Sequence, residues 1–126
     1  MKDLKIPLIM ISTLMESEQK RCGVISLNMT RTLTITARVT YNASATVGCT
    51  MNLYYSPDGI HVDSIPYATY LINLAAGETV QESHNVDAPE VGYMQIAISN
   101  GDATYTTTNV LIYENQVLWG EEKCKD

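Results

Sequence analysis

Thr32-Leu33-Thr34-Ile35-Thr36-Ala37-Arg38-Val39-Thr40-Tyr41 decides the fold, because its character changes at every residue. In an extended chain successive side chains point to opposite sides. Leu33, Ile35, Ala37, Val39 and Tyr41 therefore share one face, while Thr or Arg fills the other. A helix would need apolar residues three and four apart. Threonine and the other β-branched residues also favour the extended backbone on which a half-buried surface of this kind is built.

The same period of two continues downstream. Thr50 to Ser56 groups Met51, Leu53 and Tyr55, Tyr67 to Leu74 groups Ala68, Tyr70, Ile72 and Leu74, and Tyr93 to Ser99 groups Met94, Ile96 and Ile98. Thr79 to Val86 is more polar, with Val80, Glu82, His84 and Val86 in phase, and reads as an edge strand. Ala103 to Tyr113 begins polar and ends in Val110, Leu111 and Ile112. Four turn signals punctuate these runs: Ser56-Pro57-Asp58-Gly59, Ala76-Gly77-Glu78, Asp87-Ala88-Pro89-Glu90 and Asn100-Gly101-Asp102. Upstream, Gly23 to Met29 reads as a strand, and Leu14 to Arg21 as a polar connector with room for one turn of helix. The pattern predicts an all-β chain of about eight strands, an antiparallel β-sandwich of the jelly-roll kind. Its 126 residues fit a single domain that can bury a core without disulfide staples, and the tail from Gly120 is expected to be mobile.

Charge narrows the function. Only 17% of residues are charged, against about 25% in typical soluble domains. After Arg38 no Lys or Arg occurs until Lys123, whereas the acids accumulate to a net charge of −6. Phosphate recognition needs clustered cations, so nucleic acid and anionic membrane surfaces are excluded as partners. Three cysteines, Cys22, Cys49 and Cys124, have no C-x-x-C spacing or paired histidines and offer no zinc site. Cys49 is in phase with Met51 and Leu53, as a small buried hydrophobe would be, while Cys22 and Cys124 could pair with each other or with a neighbouring subunit.

The N-terminal run Ile6-Pro7-Leu8-Ile9-Met10-Ile11 follows a basic start, but Asp3, Pro7 and the absence of a small-x-small site make it a poor signal peptide. It reads instead as an edge or capping strand, with Ile6, Leu8 and Met10 in phase, too short to span a bilayer.

Chemical candidates are few. Asp58, His61 and Asp63 share one loop, but Asp before Gly is first a turn former, and too few oxygens are present for calcium. Glu82 and His84 could meet as an acid and imidazole pair, yet no nucleophile motif accompanies them. No catalytic residue, metal or cofactor is expected. Tyr54, Tyr67 and Tyr93 fall on the face opposite the core residues, where aromatic rings form platforms for sugars or for another protein.

Three segments carry a resemblance: Tyr55-Ser56-Pro57-Asp58-Gly59-Ile60-His61-Val62, Tyr93-Met94-Gln95-Ile96-Ala97-Ile98 and Thr108-Asn109-Val110-Leu111-Ile112-Tyr113. They resemble the last third of discoidin-like jelly rolls, in which a strand ends in Ser-x-Asp-Gly-x-x-Trp. Their cadence is also similar to small jelly-roll accessory, decoration-like proteins of phage-type virions. Val62 stands where the discoidin-like pattern has Trp, so that group's ligand loops transfer to no residue here. The resemblance implies a binding or assembly role and no catalysis.

Two function classes remain. The first is a structural protein that forms homo-oligomers, as a virion decoration, filament or shell subunit, at a virion or extracellular surface. It would use Ile6, Leu8 and Met10 to add to a neighbour's sheet and the strand carrying Val80, Glu82 and His84 to receive them. A capsid or shell protein would be a further partner. The alternative is a small carbohydrate- or ligand-binding module that takes a glycan on Tyr54, Tyr67 and Tyr93.

Overall fold

A computed structural model describes residues 3–28 and 30–118, with side chains for 7–28 and 32–115. The expected tail from Gly120, with Cys124, lies outside the described residues. Nine strands follow one another: β1 (Asp3–Leu14), β2 (Gln19–Arg21), β3 (Ile25–Ser26), β4 (Thr30–Tyr41), β5 (Cys49–Ser56), β6 (Ala68–Leu71), β7 (Thr79–Val86), β8 (Tyr93–Asn100) and β9 (Thr107–Leu118). They form two antiparallel sheets. One has the order β1-β9-β4-β7; the other has the order β2-β8-β5-β6, with β3 also paired to β8. The chain passes repeatedly from one sheet to the other, and this interleaving is the jelly-roll form of the β-sandwich.

The core lies where the alternating faces meet. Leu33, Ile35, Ala37, Val39 and Tyr41 of β4 are all buried and oppose Met51 and Leu53 of β5 and Met94, Ile96 and Ile98 of β8. Each fully buried Leu, Ile or Met contributes roughly 1.5–3 kcal/mol. Tyr41 also serves as a polar bolt. Its hydroxyl donates to the Ile72 carbonyl at 3.0 Å and accepts the Cys49 amide at 3.0 Å, joining the end of β4 to the start of β5 and to the segment after β6. Burial raises the pKa of this phenol and of the Cys49 thiol.

Several boundaries differ from those expected. The polar connector is a turn at Met15–Glu18 followed by β2, and the strand expected over Gly23 to Met29 contracts to the two residues of β3. β6 stops at Leu71, leaving Leu74 exposed in the loop that crosses to the other sheet. β9 begins at Thr107, later than Ala103, because Asn100 and Asp102 hold the intervening loop by side-chain bonds.

The N-terminal segment is not an arm held away from the domain. β1 pairs with β9 from Asp3↔Val117 to Leu14↔Thr107, and Ile9 and Leu14 belong to the core. A register shift between Pro7 and Ile9 also corrects the expected phase. An extra residue in a strand lets consecutive side chains turn to the same side. Leu8 and Ile9 both pack on the core, and Met10 turns outward with 70% of its surface exposed. Ile6 pairs with Glu114, and its side chain lies outside those described.

Candidate interaction surfaces

The sequence predicts a platform of Tyr54, Tyr67 and Tyr93 on the face opposite the core, here the outer face of the five-stranded sheet. The structure separates them. Tyr54 is only 7% exposed, because the guanidinium of Arg21 on β2 stands over its ring at 4.4 Å. Arg21 is itself fixed by Gln95 Oε1 at 3.0 Å and Gln19 Oε1 at 3.2 Å. Tyr93 is half-buried, with its ring against Gly59, where an added Cβ would meet it at 3.1 Å. Tyr67 is the most open at 46% exposure, and its hydroxyl is committed to the Asp87 carbonyl. This face is therefore a polar surface of Gln19, Ser99, Asn52 and Thr69 around an aromatic ring covered by the Arg21 cation, with cross-strand bonds Gln19–Ser99 at 3.2 Å and Thr69–Asn52 at 2.8 Å.

The sequence predicts a receiving edge at Val80, Glu82 and His84. β7 does form an end of its sheet, but these three residues pair with Val39, Ala37 and Ile35, the inward positions of β4. They line the rim where the two sheets meet. Glu82 Oε2 accepts the Asn73 amide at 2.8 Å, Oε1 lies 3.1 Å from His84 Nε2, and the His84 ring stacks on Tyr70 at 4.3 Å. The pair closes the gap between β6 and β7. The residues β7 presents outward are Thr79, Gln81, Ser83 and Asn85.

Asp58 shows the same economy. Its Oδ1 accepts the amides of Ile60 at 2.9 Å and His61 at 2.8 Å, and its Oδ2 lies 2.7 Å from His61 Nδ1. Ser56 Oγ accepts the Gly59 amide at 2.9 Å, and Gly59 takes φ +79. The imidazole bond, followed by the two amide bonds, lowers the pKa of the Asp58 carboxyl well below the ordinary range. Its oxygens are occupied by the turn. Among the described residues, no three His, Cys, Asp or Glu side chains are arranged to hold a metal ion.

The outer face of the four-stranded sheet is a hydroxyl-rich ladder. Thr34 donates to Asn85 at 2.7 Å, while Thr36–Ser83 and Thr40–Thr79 each approach to 2.8 Å. Such pairs knit β7 to β4 without charge. Beyond β7 at one end and beyond β1 at the other, no strand of the described residues pairs with this sheet.

The turn at Asn100-Gly101-Asp102 is also a polar cluster. The Asn100 amide nitrogen donates to the carbonyls of Leu14, Met15 and Tyr105 at 3.3, 3.2 and 2.9 Å. Asp102 is buried; its Oδ2 accepts the Thr46 amide at 2.9 Å and the Val47 amide at 3.3 Å, and its Oδ1 those of Thr104 at 2.9 Å and Tyr105 at 3.1 Å. These bonds, the Thr46 one foremost, lower the carboxyl to about 2. The two side chains tie three loops together at one end of the sandwich. The turn residues were visible in the sequence, but their partners are distant in it.

The sequence matches no family model, and the comparison with curated proteins gives no match. Solved structures share the fold. Murine APRIL aligns over 92% of this chain and 100% of its own at 8% identity, with a TM-score of 0.54. PRD1 vertex protein P5 aligns over 94% of this chain and 96% of its own at 9% identity and TM-score 0.52. The C-terminal CBM6 of LamC from Zobellia galactanivorans aligns over 89% of this chain and 98% of its own at 12% identity and TM-score 0.52. At such identities the likeness is one of fold alone.

Proposed function

We propose that the chain is a non-enzymatic structural subunit that self-associates edge to edge through its four-stranded sheet, as a component of a virion, shell or filament. The observation that carries this reading is the order β1-β9-β4-β7 with every neighbour antiparallel, which makes the two end strands antiparallel to each other. β7 of one copy set beside β1 of the next continues the sheet in register-compatible direction. Natural edges are guarded by Pro, Lys or brevity. The stretch from Leu8 to Leu14 has no charge and no Pro, and β7 carries only Glu82, turned inward. A contact between two different edges is heterologous and generates rings or open arrays, as shell and filament subunits require. Val80, Glu82 and His84 would contribute through the backbone of their strand, and Met10 through the backbone of β1.

Light scattering and native mass measurement across a concentration series, in reductant so that cysteines do not contribute, test the reading. Concentration-dependent oligomers should be lost on introducing lysines at β1 (Met10→Lys, Ser12→Lys) and equally at β7 (Gln81→Lys, Ser83→Lys). Loss from the β1 variant alone would indicate a symmetric β1–β1 contact. A monomer at high concentration in the unmodified chain would sink the proposal.

A second reading, a small carbohydrate- or ligand-binding module, draws on the polar face around Arg21 and Tyr54 and on the open ring of Tyr67. A vertex protein and a carbohydrate-binding module both share this sandwich, and at 9% and 12% identity neither reading gains over the other from them. Glycan-array silence, with Tyr67→Ala unchanged in every assay, would remove the second reading.

A further inference from the structure

The outer face of the four-stranded sheet holds a feature that edge-to-edge assembly leaves unused. Arg38 pairs with Leu111 and Thr40 with Thr108, so Asn109 and Val110 together oppose the single residue between them on β4, Val39. Two residues against one make a bulge, which bends its strand and redirects side chains. Asn109 takes φ +51, the left-handed conformation that Asn tolerates better than most residues. At this bulge an outward hollow of about 510 Å3 is lined by Met10 and Ser12 of β1, Arg38 and Thr40 of β4, Thr79 of β7 and Leu111 of β9. Its volume falls within the roughly 300–1,000 Å3 of small-molecule sites.

The chemistry of the lining is specific. Arg38 is exposed, and among the described residues no carboxylate forms an ion pair with it. The Thr40–Thr79 hydroxyl pair at 2.8 Å engages one donor and one acceptor, leaving one O–H and several lone pairs for a ligand. Met10 and Leu111 add apolar surface beside them. We propose that this hollow binds the carboxylate of a hydroxylated sugar acid. The planar guanidinium of Arg38 takes the carboxylate in a two-bond fork. Thr40, Thr79 and Ser12 exchange hydrogen bonds with ring hydroxyls, and the C–H face of the ring lies on Met10 and Leu111. A phosphate would call for more than one cation, and the net charge of −6 opposes a dianion. A neutral sugar would leave the guanidinium unmatched. A carboxylate from a second copy would match Arg38 but not the hydroxyl pair.

The full chain, titrated with free galacturonic acid, a short galacturonate oligosaccharide and the neutral galactose oligosaccharide, tests this by calorimetry and backbone amide NMR shifts. Saturable binding of an acid is expected, with shifts at Ser12, Asn109 and Leu111, and none with the neutral sugar. Binding by the free acid assigns the hollow to a single sugar acid; binding by the oligosaccharide alone assigns it to an acid within a chain. Arg38→Gln should weaken binding at least about tenfold, with Arg38→Lys intermediate. Thr40→Val with Thr79→Val should also weaken it while keeping the charge, so a failure of one variant to fold leaves the other, and the shift map of the unmodified chain, to decide. The proposal is overturned by absence of saturable binding to either acid, by equal affinity in Arg38→Gln, by shifts centred on Arg21 and Tyr54, or by shifts at the hollow that grow with protein concentration alone. The last result would place a second copy there. Because the seam uses strand edges and this site a sheet face, failure of assembly leaves the test intact.

Discussion

The guanidinium carbon of Arg21 stands 4.4 Å from the centroid of the Tyr54 ring, and this contact removes from solvent an aromatic side chain that faces away from the core. Arg21 on β2 pairs with Ala97 of β8, while Tyr54 on β5 pairs with Gln95, so the cation reaches across β8 to cover the ring. Its bonds to Gln95 and Gln19 hold it there.

Arg21→Ala should expose Tyr54 and cost about 1 kcal/mol, the size of a surface cation–π contact with its lost packing. Urea unfolding measures the loss. Arg21→Lys should recover only part of it, because an ammonium lacks the plane that stacks on the ring and the fork that binds two amides. Equal stability of all three proteins would show that the contact contributes nothing.

Asp102 sets an acid limit. Its folded-state pKa of about 2 lies below the ordinary 3.8, so the unfolded chain takes up the proton more readily. The stabilisation is fully present above the ordinary value and is lost as pH falls through that value to about 2. Asp102→Asn keeps the shape but replaces an all-acceptor group with one that must also place two donors among amide N–H groups. The variant should melt roughly 5 °C lower at neutral pH, and the gap should close on acidification toward the lower end of that window. A gap constant with pH would contradict the assignment.

Gly92 is required by two independent constraints. It takes φ +100, and an added Cβ would meet the Tyr55 hydroxyl oxygen at 2.3 Å. Tyr55 donates to the neighbouring Val91 carbonyl at 3.0 Å, so it has little freedom to withdraw. Gly92→Ala should destabilise by about 1–3 kcal/mol, and in a Tyr55→Ala background, which also removes the ring atoms Cζ and Cε1 that the added Cβ would meet at 2.7 and 2.8 Å, the same change should cost only the share due to backbone strain. Denaturant midpoints in the two backgrounds separate backbone strain from the clash.

How far the sequence determines these relationships depends on their range. The core face of β4 is legible because period two is local, and all five residues assigned to it are buried. The phase of β1 is not legible. The bulge at Leu8 arises from pairing with β9; Pro7 marks an irregular edge strand but does not say on which side the shift falls, so Leu8 and Met10, two apart, part company. Alternation likewise placed Tyr54 on the outer face without revealing that Arg21, in a short polar stretch, returns as a strand above it. Asn109 did carry a hint, an Asn among β-formers, but its significance required the register of β4 against β9.

Tyr41 tests whether the polar bolt or the surrounding apolar contacts hold the sheets at this end. Tyr41→Phe retains the ring but leaves the Cys49 amide without its acceptor and the Ile72 carbonyl without its donor, at a cost of about 1–3 kcal/mol. Faster hydrogen exchange should appear first at Cys49.

Removal of residues 1–14 distinguishes a strand of the domain from an assembly arm. An arm would leave a folded monomer behind. β1 instead covers β9 along its length and contributes Ile9 and Leu14 to the core, so its loss exposes the edge of β9 and the apolar groups beneath it. The truncated chain should lose its cooperative thermal transition and aggregate, and a synthetic peptide of residues 1–14 added in trans should restore strand signal in circular dichroism. A truncated chain that melts cooperatively as a soluble monomer would return the segment to the role of an arm. The lysine variants of β1, which keep the strand in place, then become the cleaner probe: they alter what the outer edge meets without removing Ile9 or Leu14 from the core.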